Sequence, residues 1–381
     1  MKIVNLKTYN IRPRWLFLKI ETDEGICGWG EPVIEGKSTV VEEAVHAFGR
    51  MIIGKDPLEI EQLWQIMYRG SFYRGGAVLT SAISGIEQAL WDIKGKRMEV
   101  PVWQLLGGRC RDRIRMYAHI TSVENPSVDL ICSEAVKKID MGYDALKTPA
   151  PVPVRHIDTM KKVEEYVDKF AALRESVGKD VDIAIDFHGR ISPAMAPIFC
   201  RALEPYYPMF VEEPVLPENV DVMANMAAKT SIPIATGERL FTPWCFRTVL
   251  EKQAARVLQP DLSHCGGILS TYKIAAMAAN YYVNIAPHNP LGPIALASCL
   301  QIDACIPNFT AQENIRLENG LDLGEGIFRE PIKIENGYVA VSDEPGLGIE
   351  VIEENLTDYV YDGSYPLPME FYPEDGSLAD W

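Results

Sequence analysis

Ile183-Ala-Ile-Asp-Phe-His-Gly-Arg190 is the stretch on which the reading of this chain turns. The apolar run Val181 to Ile185 reads as a buried strand that stops at a glycine. Alternate side chains of a strand share a face, so Asp186 and His188 are expected to point the same way. Alone, such a pair fits a salt-bridged loop entrance as well as a functional site. The downstream spacing favours the site. Pro208-Met-Phe-Val211 runs into Glu212-Glu-Pro214, and Ile232-Pro-Ile-Ala235 into Thr236-Gly-Glu238. Asp186, Glu212 and Glu238 stand 26 residues apart (212 − 186, 238 − 212), the length of one strand plus one helix. Successive parallel strands end on the same side of their sheet, so the three carboxylates would converge on one rim and repel. A hard divalent cation resolves that repulsion, and oxygen ligands with positions left open for water and substrate suit Mg²⁺.

The chain has 381 residues, 47% of them hydrophobic, enough for one large domain and a smaller one. No apolar run approaches the roughly 18 residues of a membrane span, and Met1-Lys-Ile-Val opens into strand-like alternation instead of a secretory apolar stretch. Eight scattered cysteines without a Cys-x-x-Cys pair read as reduced residues of a cytoplasmic protein. A net charge of −16 argues against nucleic acid and against an anionic membrane as partner. An acidic small molecule would need a local cation to hold it.

In chain order, Ile3 to Arg12 and Leu16 to Thr22 read as strands, with a hairpin turn at Asp23-Glu-Gly25 and a return over Ile26 to Gly30. Amphipathic helices are expected over Ser38 to Met51, Pro57 to Tyr68 and Thr80 to Lys96. Strands followed by helices make an α+β domain over residues 1–113. Pro13-Arg14-Trp15 and Ser71-Phe-Tyr-Arg-Gly-Gly76 are either ordinary connections or loops reaching over a site, which makes Arg14, Tyr73 and Arg74 candidate substrate contacts.

Strand and helix then alternate. The strands expected are Arg115–Ile120, Asp144–Thr148, Val181–Phe187, Met209–Glu212, Pro233–Thr236, Arg256–Pro260, Asn284–Pro287 and Asn308–Gln312. The fold class is α/β, a (β/α)7β TIM-like barrel over 114–320, since no Gly-x-Gly-x-x-Gly follows any strand as an open dinucleotide-binding sheet would ask. Residues 321–381 carry a hairpin signal at Asn336-Gly337 and are expected to pack back on the N-terminal region, completing the capping domain.

Asp261 and His288 follow adjacent strands, so the acid can orient one ring nitrogen and leave the other as a base. No serine sits in a nucleophile elbow, and the histidine therefore moves protons itself. His46 falls within a helix, His119 and His156 have no acidic strand-end partner in this reading, and His264 stays open. With a metal between His188 and His288, one histidine takes a proton beside a carboxylate and the other protonates a leaving hydroxyl. Glu313, buried and protonated, would donate a hydrogen bond to the substrate carboxylate.

The order Lys147, Asp186-Phe-His188, Glu212-Glu-Pro214, Gly237-Glu-Arg239, Gln259-Pro-Asp261 and Ala286-Pro-His288 resembles the enolase superfamily, mandelate racemase subgroup, and within it the acid-sugar dehydratases. The likeness extends to Leu18-Lys-Ile-Glu-Thr-Asp-Glu-Gly25, Gly28-Trp-Gly-Glu-Pro32, Ala89-Leu-Trp-Asp-Ile-Lys94 and Pro101-Val-Trp-Gln-Leu105. It implies one Mg²⁺ per subunit on Asp186, Glu212 and Glu238 with Glu213 behind them. It further implies His288 as base at C2, His188 as acid at C3, Glu313 polarising the substrate carboxylate and Lys147 near it. The implied reaction turns an aldonate such as galactonate into a 2-keto-3-deoxy acid, in a symmetric homo-oligomer. Alternatives are a 2-hydroxy-acid racemase or epimerase, or a dehydratase of gluconate, arabinonate or galactarate. The chain departs from the racemases where their second lysine stands, with Pro149 there, and its Pro149-Ala-Pro-Val-Pro153 run is unlike the polar stretch of galactonate dehydratases.

Overall fold

The computed structural model describes residues 1–123, 125–149, 151–317, 319–361, 365 and 369–380. The chain opens with an antiparallel sheet of β1 (Ile3–Ile11), β2 (Trp15–Thr22) and β3 (Cys27–Gly30), in that spatial order. Helices α1 (Ser38–Ile52) and α3 (Ala77–Met98) pack on it, and α2 (Ile60–Arg69) packs against those two helices. Gly28 and Gly30 are required there, because a Cβ at either would fall about 2.0 and 1.9 Å from the carbonyl oxygens of Ala89 and Gly85 on α3. The short α4 (Val102–Leu105) leads to the barrel.

The barrel runs β4 (Arg113–His119), α5 (Val128–Asp140), β5 (Ala145–Thr148), α6 (Met160–Val177), β6 (Asp182–Asp186), α7 (Ala196–Leu203), β7 (Val211–Glu212) and α8 (Val220–Ala227). It continues through β8 (Ile234–Thr236), α9 (Thr242–Glu251), β9 (Val257–Leu258), α10 (Ile268–Ala279), β10 (Asn284–Ile285), α11 (Pro293–Cys305) and β11 (Gln312–Asn314). All neighbours from β4 to β10 pair in parallel, and β11 pairs with β4. The ring closes where Ile285 bridges Phe309, with Ile285 N donating to Asn308 O at 2.7 Å and Thr310 N to Ile285 O at 2.8 Å. This is the expected α/β barrel. The eighth strand sits later than the expected Asn308–Gln312, because the segment meets β10 at Phe309 and reaches β4 only from Gln312.

Alternation within the strands sorts inside from outside. Tyr117, Ala145, Ala184, Phe210, Ala235, Val257, Ala286 and Ala311 form an apolar layer of their own, while Ile183, Ile185 and Val211 join the large core against the helices. One step of two along their strands from that inner layer come His119, Lys147, Asp186, Glu212 and Glu313. The rim is thus a polar floor laid on an apolar one.

Buried carboxylates seat the cap on the barrel. Glu31 accepts from Gly292 N (2.7 Å) and Ala295 N (2.9 Å) at the start of α11. Glu87 accepts from Ile268 N (2.7 Å) and Leu269 N (2.9 Å) at the start of α10, and from Trp91 Nε1 at 2.8 Å. Each answers unpaired N–H groups and the positive end of a helix. Burial, outweighing those donors, pushes the carboxyl of Glu31 up to about 8 and that of Glu87 to about 7. Asp92 accepts from Trp29 N in β3 and from Leu347 N in the C-terminal region.

The Asn336-Gly337 turn forms with both φ positive, at 51° and 76°. The strand that follows, β12 (Tyr338–Ala340), pairs antiparallel with β4, so this part of the C-terminal region lies on the barrel and not on the cap. The expectation that the whole tail avoids the barrel is corrected: the first half of β4 precedes its pairing with β5 and offers a free edge. Further on, contacts return to the cap. Glu353 takes Lys7 and Lys19 at 2.6 Å each, Arg12 N donates to Tyr359 O at 2.7 Å, and Tyr361 N to Asn10 O at 2.9 Å.

Replacing Glu87 with Ala orphans three N–H donors and is expected to lower unfolding free energy by roughly 1–3 kcal/mol in urea titration. For Glu31→Gln the loss depends on pH. A carboxyl raised to about 8 from 4.5 contributes its stability below pH 4.5 and loses it as pH climbs toward 8. The gap between wild type and variant should therefore shrink from pH 5 to pH 8, and a constant gap would refute that burial cost.

Candidate active site

His188 does not lie on the strand. β6 ends at Asp186, and His188 follows with φ 51°, its N–H donating to Asp186 Oδ1 at 2.8 Å. That turn, and not strand alternation, brings its Nε2 to 3.0 Å from Asp186 Oδ2. Glu213, φ 41°, turns similarly after β7; its carboxylate accepts from Thr236 Oγ1 and from Arg239 Nε, the latter at 3.0 Å. Two non-glycine residues in the left-handed region, each costing about 1 kcal/mol or more, mark where backbone is bent to aim side chains.

Lys147, buried at the end of β5, stands at the centre of the acids. Its Nζ lies 2.9 Å from Asp186 Oδ2, 2.8 Å from Glu212 Oε2 and 3.0 Å from Glu313 Oε1. Burial would lower its pKa, but the three carboxylates override that and hold it well above its ordinary value. Despite this contact neither oxygen of Glu212 accepts a hydrogen bond from a described residue. Burial and then the Asp186 charge push the Glu212 carboxyl up to about 8.

Side chains able to ligate one ion come together as Asp186, His188 and Glu238, with donor atoms within 4.8 Å of one another. Of the expected set, Asp186 and Glu238 belong to that group, and Glu212 stands beside it with its Oε2 2.8 Å from Lys147 Nζ. The ammonium of Lys147 draws Glu212 to itself and supplies positive charge on that side. A buried carboxylate with no hydrogen-bond donor still suits a cation, so the donor set fits a hard divalent metal.

Asp261, three residues past β9, and His288, three past β10, meet as expected, with Nδ1 to Oδ2 at 2.8 Å. His288 Nε2 lies 3.2 Å from Glu238 Oε2. Burial would lower both active-site imidazoles. Asp186 instead lifts His188 to about 9, and Glu238 with Asp261 holds His288 well above its ordinary value.

Glu313 is buried, as expected, but not protonated. Burial would raise it, yet Lys147 first and then His119 and His288 keep it well below the usual carboxylate range. His119 Nε2 sits 2.7 Å from its Oε1, and Asn289 N donates to its Oε2 at 2.9 Å. His119 thus has the acidic partner that reading the strands one by one had denied it. Closure of the ring, pairing Glu313 with Tyr117 in β4 and β11, was the available signal. His264 is buried against Ser81 at 3.0 Å, behind Asp261.

The candidate substrate contacts divide. Arg14 pairs with Glu35, donates to Tyr365 Oη at 2.7 Å and reaches Pro290 O, two residues past His288, at 3.4 Å. Tyr73 and Arg74 stay away from the rim, exposed and facing a hollow beside Phe48 and Met51 in the cap. Beside Lys147, Asp186 and His188 lies a cavity of about 220 Å³, whose outer wall includes Pro149, Val152, Pro153, Arg190 and Glu370. No sequence pattern pointed to Glu370; Ala150 of the proline run lies outside the described residues.

A parallel barrel with acids and histidines on its rim, under an α+β cap, defines an enolase-type protein. Residues 131–355 match the family described as enolase C-terminal domain-like, and residues 7–107 the mandelate racemase / muconate lactonizing enzyme N-terminal domain. The chain belongs to the mandelate racemase / muconate lactonizing enzyme family. It is 47% identical to the D-galactonate dehydratases of Cronobacter sakazakii (strain ATCC BAA-894) and Variovorax paradoxus (strain S110), with 100% of each chain covered in both cases. Among solved structures, the mandelate racemase/muconate lactonizing enzyme from Jannaschia sp. CCS1 is similar at TM-score 0.89 and 32% identity, over 96% of this chain and 99% of that one. That from Sulfitobacter sp. follows at 0.88 and 33%, over 96% and 97%.

Removing the central ammonium leaves buried carboxylates uncompensated. Lys147→Met is expected to lower unfolding free energy by about 3–5 kcal/mol in metal-free buffer. A loss under about 1 kcal/mol would mean the acids are balanced from elsewhere.

Proposed function

We propose that this chain is a hydro-lyase of acid sugars that removes water from an aldonate such as D-galactonate, yielding a 2-keto-3-deoxy acid. The likeness at 47% identity over full length to two D-galactonate dehydratases supports sugar-acid dehydration. The single observation that carries the mechanism is the placing of two histidines, each paired with an acid, on either side of Asp186 and Glu238.

His288 acts in its neutral form, which a cation engaging Glu238 would favour by taking up the charge that otherwise holds the imidazolium. It removes the proton at C2 through Nε2, while Asp261 fixes its Nδ1 and so its ring orientation. His188, carried as the imidazolium at neutral pH by its contact with Asp186, gives a proton to the C3 hydroxyl. The C3–O bond breaks, water leaves, and the resulting enol tautomerises to the ketone. The proton inventory closes, since one histidine gains what the other gives.

Asp186, Glu238 and Glu212 would hold one Mg²⁺ per subunit, the oxygen-rich donors and the donor-poor Glu212 suiting that ion. When bound, it supplies the Lewis acidity that makes a hydrogen beside a carboxylate removable. Lys147 adds fixed positive charge for the substrate carboxylate. Glu313 in its ionised form serves to hold Lys147 and His119 in place. Pro149, two places after Lys147, puts no second base on the opposite face, which disfavours racemisation. The resemblance extends this reading to a homo-oligomer.

Incubated with Mg²⁺ and a panel of aldonates and aldarates, the enzyme should form 2-keto acid from at least one aldonate; none from any of them would refute dehydration. For His188→Asn, dehydration should fall about 10² to 10⁴-fold. Exchange of the C2 proton in D₂O should survive, because His288 remains. Loss of exchange as well would reverse the assignment.

A further inference from the structure

Arg190 closes the stretch Ile183 to Arg190, yet no step of the dehydration uses it. Its side chain is only 8% exposed and lines the cavity that Lys147, Asp186 and His188 also line. Its neighbours do not satisfy it. Nη1 donates to Pro151 O at 3.2 Å, Nη2 stands 3.7 Å from Glu370 Oε1, beyond hydrogen-bond reach, and Nε has no acceptor among the described residues. A guanidinium carries five N–H donors, and leaving them buried without acceptors costs free energy unless a ligand brings acceptors.

Glu370 comes from the far end of the chain. The segment around it is laid over the proline run, with Tyr372 Oη donating to Val154 O at 3.4 Å. Its carboxylate is 17% exposed and lines the same cavity. An under-satisfied cation and a carboxylate side by side make a donor set and an acceptor set in the cavity that Lys147 also lines. Hydroxyl groups satisfy both at once, since each accepts from the guanidinium and donates to the carboxylate. A second carboxylate satisfies Arg190 but meets Glu370 as a like charge in a low-dielectric cavity.

We propose that Arg190 and Glu370 read the distal end of the substrate, and that Glu370 restricts the enzyme to monoacids ending in a hydroxymethyl group by repelling the diacids of the same configuration. This rests on the dehydratase reading and deepens it. The backbone of the proline run holds Arg190 in place through Pro151 O. The run thereby presents a carbonyl and an apolar wall where a polar stretch would compete for the guanidinium.

The test compares a hexaldonate with the hexaldarate of matching configuration on wild type, Glu370→Gln, Arg190→Gln and the double variant, in two readouts. One is kcat/KM for 2-keto acid; the other is the shift in melting temperature on adding each acid with Mg²⁺, which needs no turnover. Glu370→Gln should raise the aldarate-to-aldonate ratio of kcat/KM roughly tenfold or more and should enlarge the melting-temperature shift given by the aldarate relative to that given by the aldonate. Arg190→Gln should raise KM for the aldonate more than it lowers kcat, and the double variant should lose the gain in diacid binding. An unchanged ratio in Glu370→Gln with an active wild type overturns the inference alone. A wild type that binds and turns over neither acid removes the dehydratase reading and this inference with it. A ratio that rises equally in the double variant shows that Arg190 is not the group Glu370 screens.

Discussion

A carboxylate taken out of water must find donors or a countercharge, and nearly every distinctive feature of this chain answers that demand. The cap does so with backbone: Glu31 and Glu87 take the free N–H groups at the starts of α11 and α10, so that two acids become the pins joining cap to barrel. The rim does so with an ammonium: Lys147 reaches Asp186, Glu212 and Glu313 within 3.0 Å. The two solutions differ in what they leave open. A helix start gives its acid fixed donors and makes a joint, although burial still raises both carboxyls. One ammonium among so many acids leaves negative charge over, and that residue of charge is what a divalent cation and two histidines can share.

The apolar layer beneath the rim sharpens this. Phe210, Ala184, Ala235 and their neighbours keep water from approaching the acids from below. Charges there interact more strongly than they would at the surface, and pairings decide protonation. This is why Glu313 stays ionised although it is as buried as Glu31, whose carboxyl burial raises to about 8. Glu313 has Lys147 and His119 within 3.0 Å, and Glu31 has only peptide dipoles.

Much of this was legible in the sequence, for a physical reason. Strand interiors must be apolar and their ends must carry the chemistry, so runs such as Ile183 to Ile185 followed by Asp186 announce both barrel and rim. Strand lengths were over-read: Arg256–Pro260 pairs only over Val257–Leu258, because the residues beyond curve away to aim Asp261. What stayed hidden needed closure of the ring or contacts between distant segments. His119 meets Glu313 only because β4 and β11 are neighbours, Lys147 reaches Glu212 only in three dimensions, and Glu370 sits in a tail with neither periodicity nor capping signals. Tyr73 and Arg74 had the composition of a lid, but nothing in a single sequence says how far a loop reaches.

The tail also ties selectivity to the cap. Glu353 gathers Lys7, Lys19 and the Tyr9 hydroxyl from β1 and β2, and those hydrogen bonds lower its carboxyl to about 2. Arg14 and Tyr365 then join the loop after β1 to the segment that precedes Glu370. The segment that carries Glu370 is therefore anchored at one end to the cap and laid at the other over the barrel's Val154 and Arg190, while Asp186 and Lys147 stand on barrel strands. Glu31 and Glu87 are two pins among several between cap and barrel, for Trp64 Nε1 also donates to Gly266 O at 2.9 Å and Gln88 Nε2 to Leu262 O at 3.1 Å. A change at Glu31 or Glu87 would shift the cap, and with it the tail segment before Glu370, against the barrel rim, and under the role proposed for Glu370 it would alter which acid sugar fits while leaving the two histidines in place.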